Sequence, residues 1–118
     1  MAVHGAKKVM RGPADETVRV SLGHGVTLGD GSFTVMAGPC AIENTEQLDK
    51  ASGAVKTHGA HVLRGGAFKP RTSPYSFQGL GEIGLKLLHE QGKKLRMPVV
   101  SEVMDVTQLP LMMDYVDV

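Results

Sequence analysis

Three cationic side chains lie close together in the stretch LRGGAFKPRTSPYSFQGLG, which spans residues 63–81. These cations are Arg64, Lys69 and Arg71. Arg presents a planar fork of donors that matches phosphate or carboxylate, and Lys adds a compact charge. Gly65 and Gly66 let main chain approach a ligand where a Cβ would collide, whereas Tyr75 and Phe77 are predicted to pack the loop down. The stretch thus favours a site for a small polyanion, and a solvated basic loop is the alternative.

The elements that position this loop follow an alternating pattern. Apolar runs of buried-strand type occupy residues 33–38, 60–65 and 98–103, and each precedes a helical pattern. Residues 18–33 alternate around glycine turns, which predicts a hairpin or two small strands. Residues 116–118 are predicted to begin a fourth strand. Such alternation predicts a parallel sheet with helical crossovers.

Helix boundaries are also readable. Asn44 with Gln47 predicts a first helix start in the manner of a capping box, and Gly59 predicts its end. Asp105 with Gln108 predicts the start of the third helix. The predicted inner faces are Leu48, Ala51 and Val55 in the first helix, Leu80, Ile83, Leu87 and Leu88 in the second, and Leu109, Met112 and Met113 in the third.

Reactive side chains follow the strands. Cys40 comes after the first strand, Arg64 ends the second, and Glu102 ends the third. Ligands in parallel α/β folds bind at the carboxyl ends of the strands, so these groups are expected to converge there with the cationic loop. Each has a simpler reading: a lone Cys is often a small buried hydrophobe, and Glu102 is alternatively an ion-pair partner of Arg64. Their shared edge favours an anion-binding active site.

Composition limits the classes of function. Thirteen basic and twelve acidic residues give a formal charge of +1, which argues against a general nucleic-acid or membrane surface. Aromatic residues are 4% of the chain, too few for base-stacking platforms. Neither a secretory signal nor a membrane span is predicted. Cys40 is the single cysteine, which excludes an intrachain disulfide and favours a cytoplasmic location.

Three motifs resemble one enzyme family. AGPCAIE at residues 37–43, the stretch at 63–81 and VVSEV at 99–103 are similar to 3-deoxy-D-arabino-heptulosonate 7-phosphate (DAHP) synthase of the smaller bacterial subclass. The resemblance runs from about Gly25 to the last residue. The related 3-deoxy-manno-octulosonate 8-phosphate synthase carries K-A-N-R-S where this chain has K-P-R-T-S, at residues 69–73, and this departure favours DAHP synthase.

The resemblance implies a TIM-type (β/α)8 barrel, of which the chain holds only the N-terminal hairpin and about three βα units. Residues 1–31 are then an N-terminal extension and hairpin, and residues 32–118 are the first part of an incomplete barrel. A complete barrel needs about 250 residues.

The implied activity is the condensation of phosphoenolpyruvate with erythrose 4-phosphate, which releases phosphate at the first step of the shikimate pathway to aromatic amino acids. The implied cofactor is a divalent metal ion (Mn²⁺, Fe²⁺, Co²⁺ or Zn²⁺) that polarises the aldehyde. No nucleic-acid or membrane partner is expected. A homo-oligomer is expected for the full-length enzyme.

The resemblance also implies residue roles. Cys40 would be a metal ligand, with the remaining ligands absent from this chain. Arg64 and Lys69 would hold phosphoenolpyruvate, and Lys69 is a candidate proton donor. Glu102 would orient phosphoenolpyruvate or a nearby water, so Lys69 and Glu102 are the predicted catalytic residues. The sugar phosphate would contact Arg71 and Thr72.

Two alternatives remain open. One is a catalytically incompetent, truncated half-barrel that binds phosphorylated ligands weakly, and no turnover is expected from 118 residues alone. The other is the octulosonate synthase reaction, which takes arabinose 5-phosphate as its acceptor.

Overall fold

The computed structural model describes Gly12 and residues 16–118, so the predicted extension at residues 1–16 lies almost entirely outside the described part. The strands are β1 (Val20–Gly23), β2 (Val26–Leu28), β3 (Met36–Ala37), β4 (Val62–Arg64) and β5 (Val99–Val100). The helices are α1 (Thr45–Thr57), α2 (Glu82–Leu95) and α3 (Leu109–Met112), with a 3-10 helix at Val106–Gln108 before α3. Among the described residues, none of the helices has the length and hydrophobicity of a membrane span.

Two sheets form, as the alternation predicted. β1 and β2 pair antiparallel, which confirms the hairpin. β3, β4 and β5 form a parallel sheet in that order, with Leu63 paired to both Ala37 and Val99. Because α1 connects β3 to β4 and α2 connects β4 to β5, each parallel pair has its helical crossover.

The first parallel strand is shorter and less buried than predicted. The predicted run at residues 33–38 forms a strand only over β3, with Phe33 86% exposed and Met36 40% exposed. β3 is the edge of the described sheet, so Met36 and the residues before it have no further strand beside them. Val62 and Leu63 of the central strand β4 are fully buried.

The Asn44 cap of α1 is confirmed, whereas the reciprocal bond of the predicted capping box goes to Glu43 instead of Asn44. The Gln47 N–H donates to the Asn44 Oδ1 at 2.8 Å, and the Gln47 side chain accepts from the Glu43 N–H at 3.1 Å. Gly59 follows the helix with a φ of +86°, a conformation that glycine adopts at little cost.

The buried face of α2 differs from the prediction. Ile83 is 65% exposed, whereas Leu85 and Leu88 are fully buried. Gly84 and Gly92 complete this face, and a Cβ at Gly92 would overlap the Val99 side chain. The face of α2 that meets the sheet therefore contains glycines, which allow close contact, as well as large apolar residues.

The third helical segment is only partly as predicted. Asp105 and Gln108 form the capping box, but it starts the 3-10 helix. Of the predicted inner face, Met112 is buried while Leu109 and Met113 are 43% and 79% exposed. No described element packs on that outer side.

The predicted fourth strand is absent as a strand, although its residues lie against β5. The N–H groups of Asp117 and Val118 both donate to the Val99 carbonyl, at 3.0 and 3.3 Å. The Ser101 N–H donates to the Val118 carbonyl at 3.3 Å.

The main hydrophobic core ties the strands to α1 and α2. Its buried members are Ile42, Leu48, Ala60, Leu63, Leu88, Met97 and Val99. Ile42 lies two residues after Cys40, and Leu63 directly precedes Arg64. The core thus fixes the backbone that carries these two candidate site residues.

Candidate functional site

Four of the predicted site residues meet just beyond the parallel strands. Arg64 is the last residue of β4, Cys40 follows β3, and Glu102 follows β5. Lys69 reaches them from the loop after β4. The structure therefore brings together the groups whose positions after the strands predicted a shared site.

A buried ammonium is the centre of this cluster. Lys69 Nζ donates to Glu102 Oε1 and lies 3.5 Å from Cys40 Sγ. The Lys69 side chain is only 4% exposed, whereas that of Glu102 is 34% exposed. Because a buried charge is costly without a partner, the Glu102 carboxylate compensates the Lys69 ammonium.

Arg64 is the second cation of the cluster. Its Nη2 lies 3.7 Å from Glu102 Oε1, and its Nη1 donates to the Pro39 carbonyl at 3.1 Å. The guanidinium carries five N–H donors, so these two contacts leave capacity for an anionic ligand. Sequence reasoning did not find the Pro39 carbonyl, which orients this side chain.

Gly38 allows the two strands carrying the site to approach closely. It has a φ of +158°, and a Cβ there would overlap the main chain of Arg64. Only glycine fits such a contact without moving β4. The Gly-Pro pair before Cys40 was the available signal in the sequence.

The cationic loop is closed at its base by main-chain hydrogen bonds. The Lys69 N–H donates to the Gln78 carbonyl at 3.0 Å, and the Gly81 N–H donates to the Ala67 carbonyl at 2.9 Å. Gly79, with a φ of +95°, lies against the Ala67 carbonyl, where a Cβ would collide. The base of the loop is thus fixed independently of its tip.

The tip of the loop does not join the cluster. Arg71 and Thr72 are exposed, and Arg71 makes no ion pair within the described part of the chain. Tyr75 is 98% exposed and Phe77 is 44% exposed, so the prediction that they pack the loop down is wrong here. Residues 71–77 extend beyond the closed base, and no described element covers them.

The cations change the chemistry of the thiol. Cys40 is exposed, and the Arg64 guanidinium, followed by the Lys69 ammonium, holds the pKa of the Cys40 thiol below its ordinary value. Both cations favour the thiolate, which is the form that reacts as a nucleophile or binds a metal.

Alkylation of Cys40 by iodoacetamide is expected to persist to lower pH in the folded chain than in urea. A lower pKa gives a larger thiolate fraction at each pH, so the midpoint of the rate profile moves down. Mass spectrometry of the Cys40 peptide measures the rate, and Arg64→Ala should move the midpoint back up. Equal midpoints in the folded and unfolded chain would contradict the effect of the cations.

The described residues do not form a metal site by themselves. No three His, Cys, Asp or Glu side chains converge within Gly12 and residues 16–118. Cys40 offers one suitable thiolate, but the nearby Glu102 carboxylate is paired with Lys69. A divalent ion needs several ligands in a defined geometry, so one thiolate does not hold it.

Fold and cluster together define an α/β protein with a cationic site at the carboxyl ends of parallel strands, where such folds bind ligands. A model of the DAHP synthetase I family matches residues 14–118. The chain therefore belongs to the DAHP synthetase I family, which confirms the family that its motifs resemble.

Individual relatives agree with this assignment. The phospho-2-dehydro-3-deoxyheptonate aldolase of Thermotoga maritima is 46% identical over 112 residues, which cover 95% of this chain and 33% of the relative. A crystal structure of the Thermotoga maritima phospho-2-dehydro-3-deoxyheptonate aldolase (DAHP synthase) superposes with a TM-score of 0.77 at 44% identity. The match covers 86% of this chain and 28% of that one.

A second group of relatives is more distant. The 2-dehydro-3-deoxyphosphooctonate aldolase of Fusobacterium nucleatum is 32% identical over 97 residues, which cover 76% of this chain and 35% of the relative. The chain thus spans about a third of the length of the curated relatives it matches.

Proposed function

We propose that this chain supplies the phosphoenolpyruvate-binding part of a 3-deoxy-D-arabino-heptulosonate 7-phosphate synthase. Such an enzyme condenses phosphoenolpyruvate with erythrose 4-phosphate and releases phosphate, at the start of the shikimate pathway. The observation that carries the proposal is the Arg64–Lys69–Glu102–Cys40 cluster at the strand ends of a DAHP synthetase I family member.

Arg64 and Lys69 bind the phosphate and carboxylate of phosphoenolpyruvate in this proposal. Two cations of the cluster offer charged N–H donors to the phosphate and the carboxylate of a ligand that carries several negative charges. Glu102 holds the Lys69 ammonium in place and orients phosphoenolpyruvate or a water. Lys69 is the proton donor in this proposal, because its ammonium carries protons and lies at the centre of the cluster.

Arg71 and Thr72 bind the phosphate of erythrose 4-phosphate from the tip of the loop. Both side chains are exposed, and Arg71 has no ion pair with any described residue, so both are available to a ligand. Cys40 is one ligand of the divalent metal of the whole protein, and the other ligands come from outside the described residues.

The larger organisation follows from the same proposal. Residues 32–118 form the first part of a (β/α)8 barrel, and residues 1–31 form an extension and hairpin before it. The exposed outer sides of β3 and α3 support this arrangement, since further βα units would cover them. The full-length enzyme is cytoplasmic and homo-oligomeric.

A chimaera tests the proposed function. Residues 14–118 of this chain replace the matching segment of the Thermotoga maritima aldolase, whose remaining part supplies the other strands. Phosphate release from phosphoenolpyruvate with erythrose 4-phosphate and Mn²⁺ is expected within about tenfold of the parent, because the site residues are retained. The 118-residue chain alone should release none.

The same assay separates the alternatives. A folded chimaera that releases no phosphate while the parent is active would contradict the proposal and favour a half-barrel that only binds phosphorylated ligands. Faster release with arabinose 5-phosphate than with erythrose 4-phosphate would instead indicate the octulosonate synthase reaction.

A further inference from the structure

We infer that Gly66 is a positioning residue for Lys69: the absence of a side chain at this position is what allows the Lys69 ammonium to lie between Cys40 and Glu102. The inference deepens the proposed function, because the role of Lys69 toward phosphoenolpyruvate rests on that proposal. Gly66 has no side chain that could contact a reacting atom, so its effect acts through Lys69.

The space around Gly66 is filled by the site itself. A Cβ built there would overlap Lys69 Nζ and would lie 2.5 Å from both the Cys40 carbonyl oxygen and Glu102 Oε1. All three atoms belong to the cluster. Gly66 is not among the residues with positive φ, so its backbone accepts alanine and the constraint is space alone.

The three neighbours differ in how readily they move. The Cys40 carbonyl is main chain, and its segment is held where the Ile42 N–H donates to the Gly66 carbonyl at 2.9 Å. Lys69 Nζ and Glu102 Oε1 are the ends of flexible side chains. An added methyl group therefore displaces the ends of the Lys69 and Glu102 side chains most easily, and the Cys40 carbonyl must give way as well.

Gly65 provides a matched control in the same loop. A Cβ at Gly65 would meet Ile42 Cδ1 at 2.9 Å and Leu88 Cδ1 at 3.1 Å, which are both apolar core atoms. Gly65→Ala thus crowds apolar side chains, less closely than a Cβ at Gly66 crowds its neighbours, and meets none of the charged groups. Gly65→Ala therefore controls for an added methyl group in this loop, and exposure of Lys69 is the readout specific to the ionic cluster.

Site-resolved lysine labelling tests the inference in the 118-residue chain. Reductive methylation followed by peptide mass spectrometry gives the rate at Lys69 relative to Lys93, which is exposed on the last turn of α2. Gly66→Ala is expected to raise this ratio at least about tenfold, the factor that one charge-assisted hydrogen bond corresponds to. Gly65→Ala should leave it unchanged.

A folded Gly66→Ala chain in which Lys69 stays as protected as before would overturn the inference. If Gly66→Ala fails to fold by far-UV circular dichroism, the double variant Gly66→Ala/Lys69→Ala decides the question. Recovery of the fold identifies the ammonium as the obstructed group and supports the inference. Continued unfolding shows that the backbone is the obstruction and overturns it.

The labelling ratio needs no ligand, so it is independent of the proposed function. Phosphoenolpyruvate added to the unsubstituted chain tests that function separately, by the further protection of Lys69 it should give. Absence of this protection counts against the proposed function, whereas the ratio in Gly66→Ala counts for or against the role of Gly66.

Discussion

Lys69→Ala is expected to lower phosphate release by the chimaera at least about a hundredfold, the lower range for loss of a general acid. The substitution removes the most buried cation of the site and the proposed proton donor together. The Glu102 carboxylate also loses its closest partner. Its uncompensated negative charge then repels an anionic substrate. Steady-state release of phosphate from phosphoenolpyruvate and erythrose 4-phosphate measures the effect.

Lys56→Ala is the matched control for this loss. Lys56 is an exposed lysine in the last turn of α1, away from the cluster, so its removal should leave turnover unchanged. Far-UV circular dichroism establishes that both variants fold. Turnover of Lys69→Ala close to that of Lys56→Ala would remove Lys69 from the catalytic assignment.

Gly38→Ala is expected to destabilise the 118-residue chain by about 3 kcal/mol, from overpacking together with a strained backbone conformation. The added Cβ would overlap the main chain of Arg64, so no side-chain rotation relieves it. Either β3 separates from β4 or the Pro39–Cys40 segment moves away from the cluster. Urea unfolding followed by circular dichroism measures the loss.

Gly53→Ala is the contrasting glycine substitution. Gly53 lies within α1 with no atom within 4 Å of its Cβ position, so alanine should stabilise the chain by about 1 kcal/mol through helix propensity. A Gly38→Ala chain that unfolds at the same urea concentration as the unsubstituted chain would show that β3 and β4 need no close approach.

Features that depend on neighbouring residues were predictable from the sequence. The Asn44 cap, the Asp105–Gln108 capping box and the stop at Gly59 all form as expected, because a few adjacent residues determine them. The clustering of Cys40, Arg64 and Glu102 was also predictable, since parallel strands bring their carboxyl ends to one edge.

Features that depend on packing partners were not predictable in the same way. Phe33, Ile83 and Tyr75 are apolar or aromatic, yet each is exposed because no described element packs against it. The role of Gly66 was hidden for a related reason: residues 36 positions apart, Gly66 and Glu102, have to be placed in space before the collision is visible.

The closed base of the cationic loop has a consequence for how the two proposed substrates can be recognised. Main-chain hydrogen bonds from Lys69 to Gln78 and from Gly81 to Ala67 hold the loop ends whatever side chains lie between them. Residues 70–77 therefore form a cassette that can be exchanged, or lengthened at little entropic cost, without displacing Lys69. Under the proposed function, acceptor preference can change through this cassette while the site for phosphoenolpyruvate stays the same.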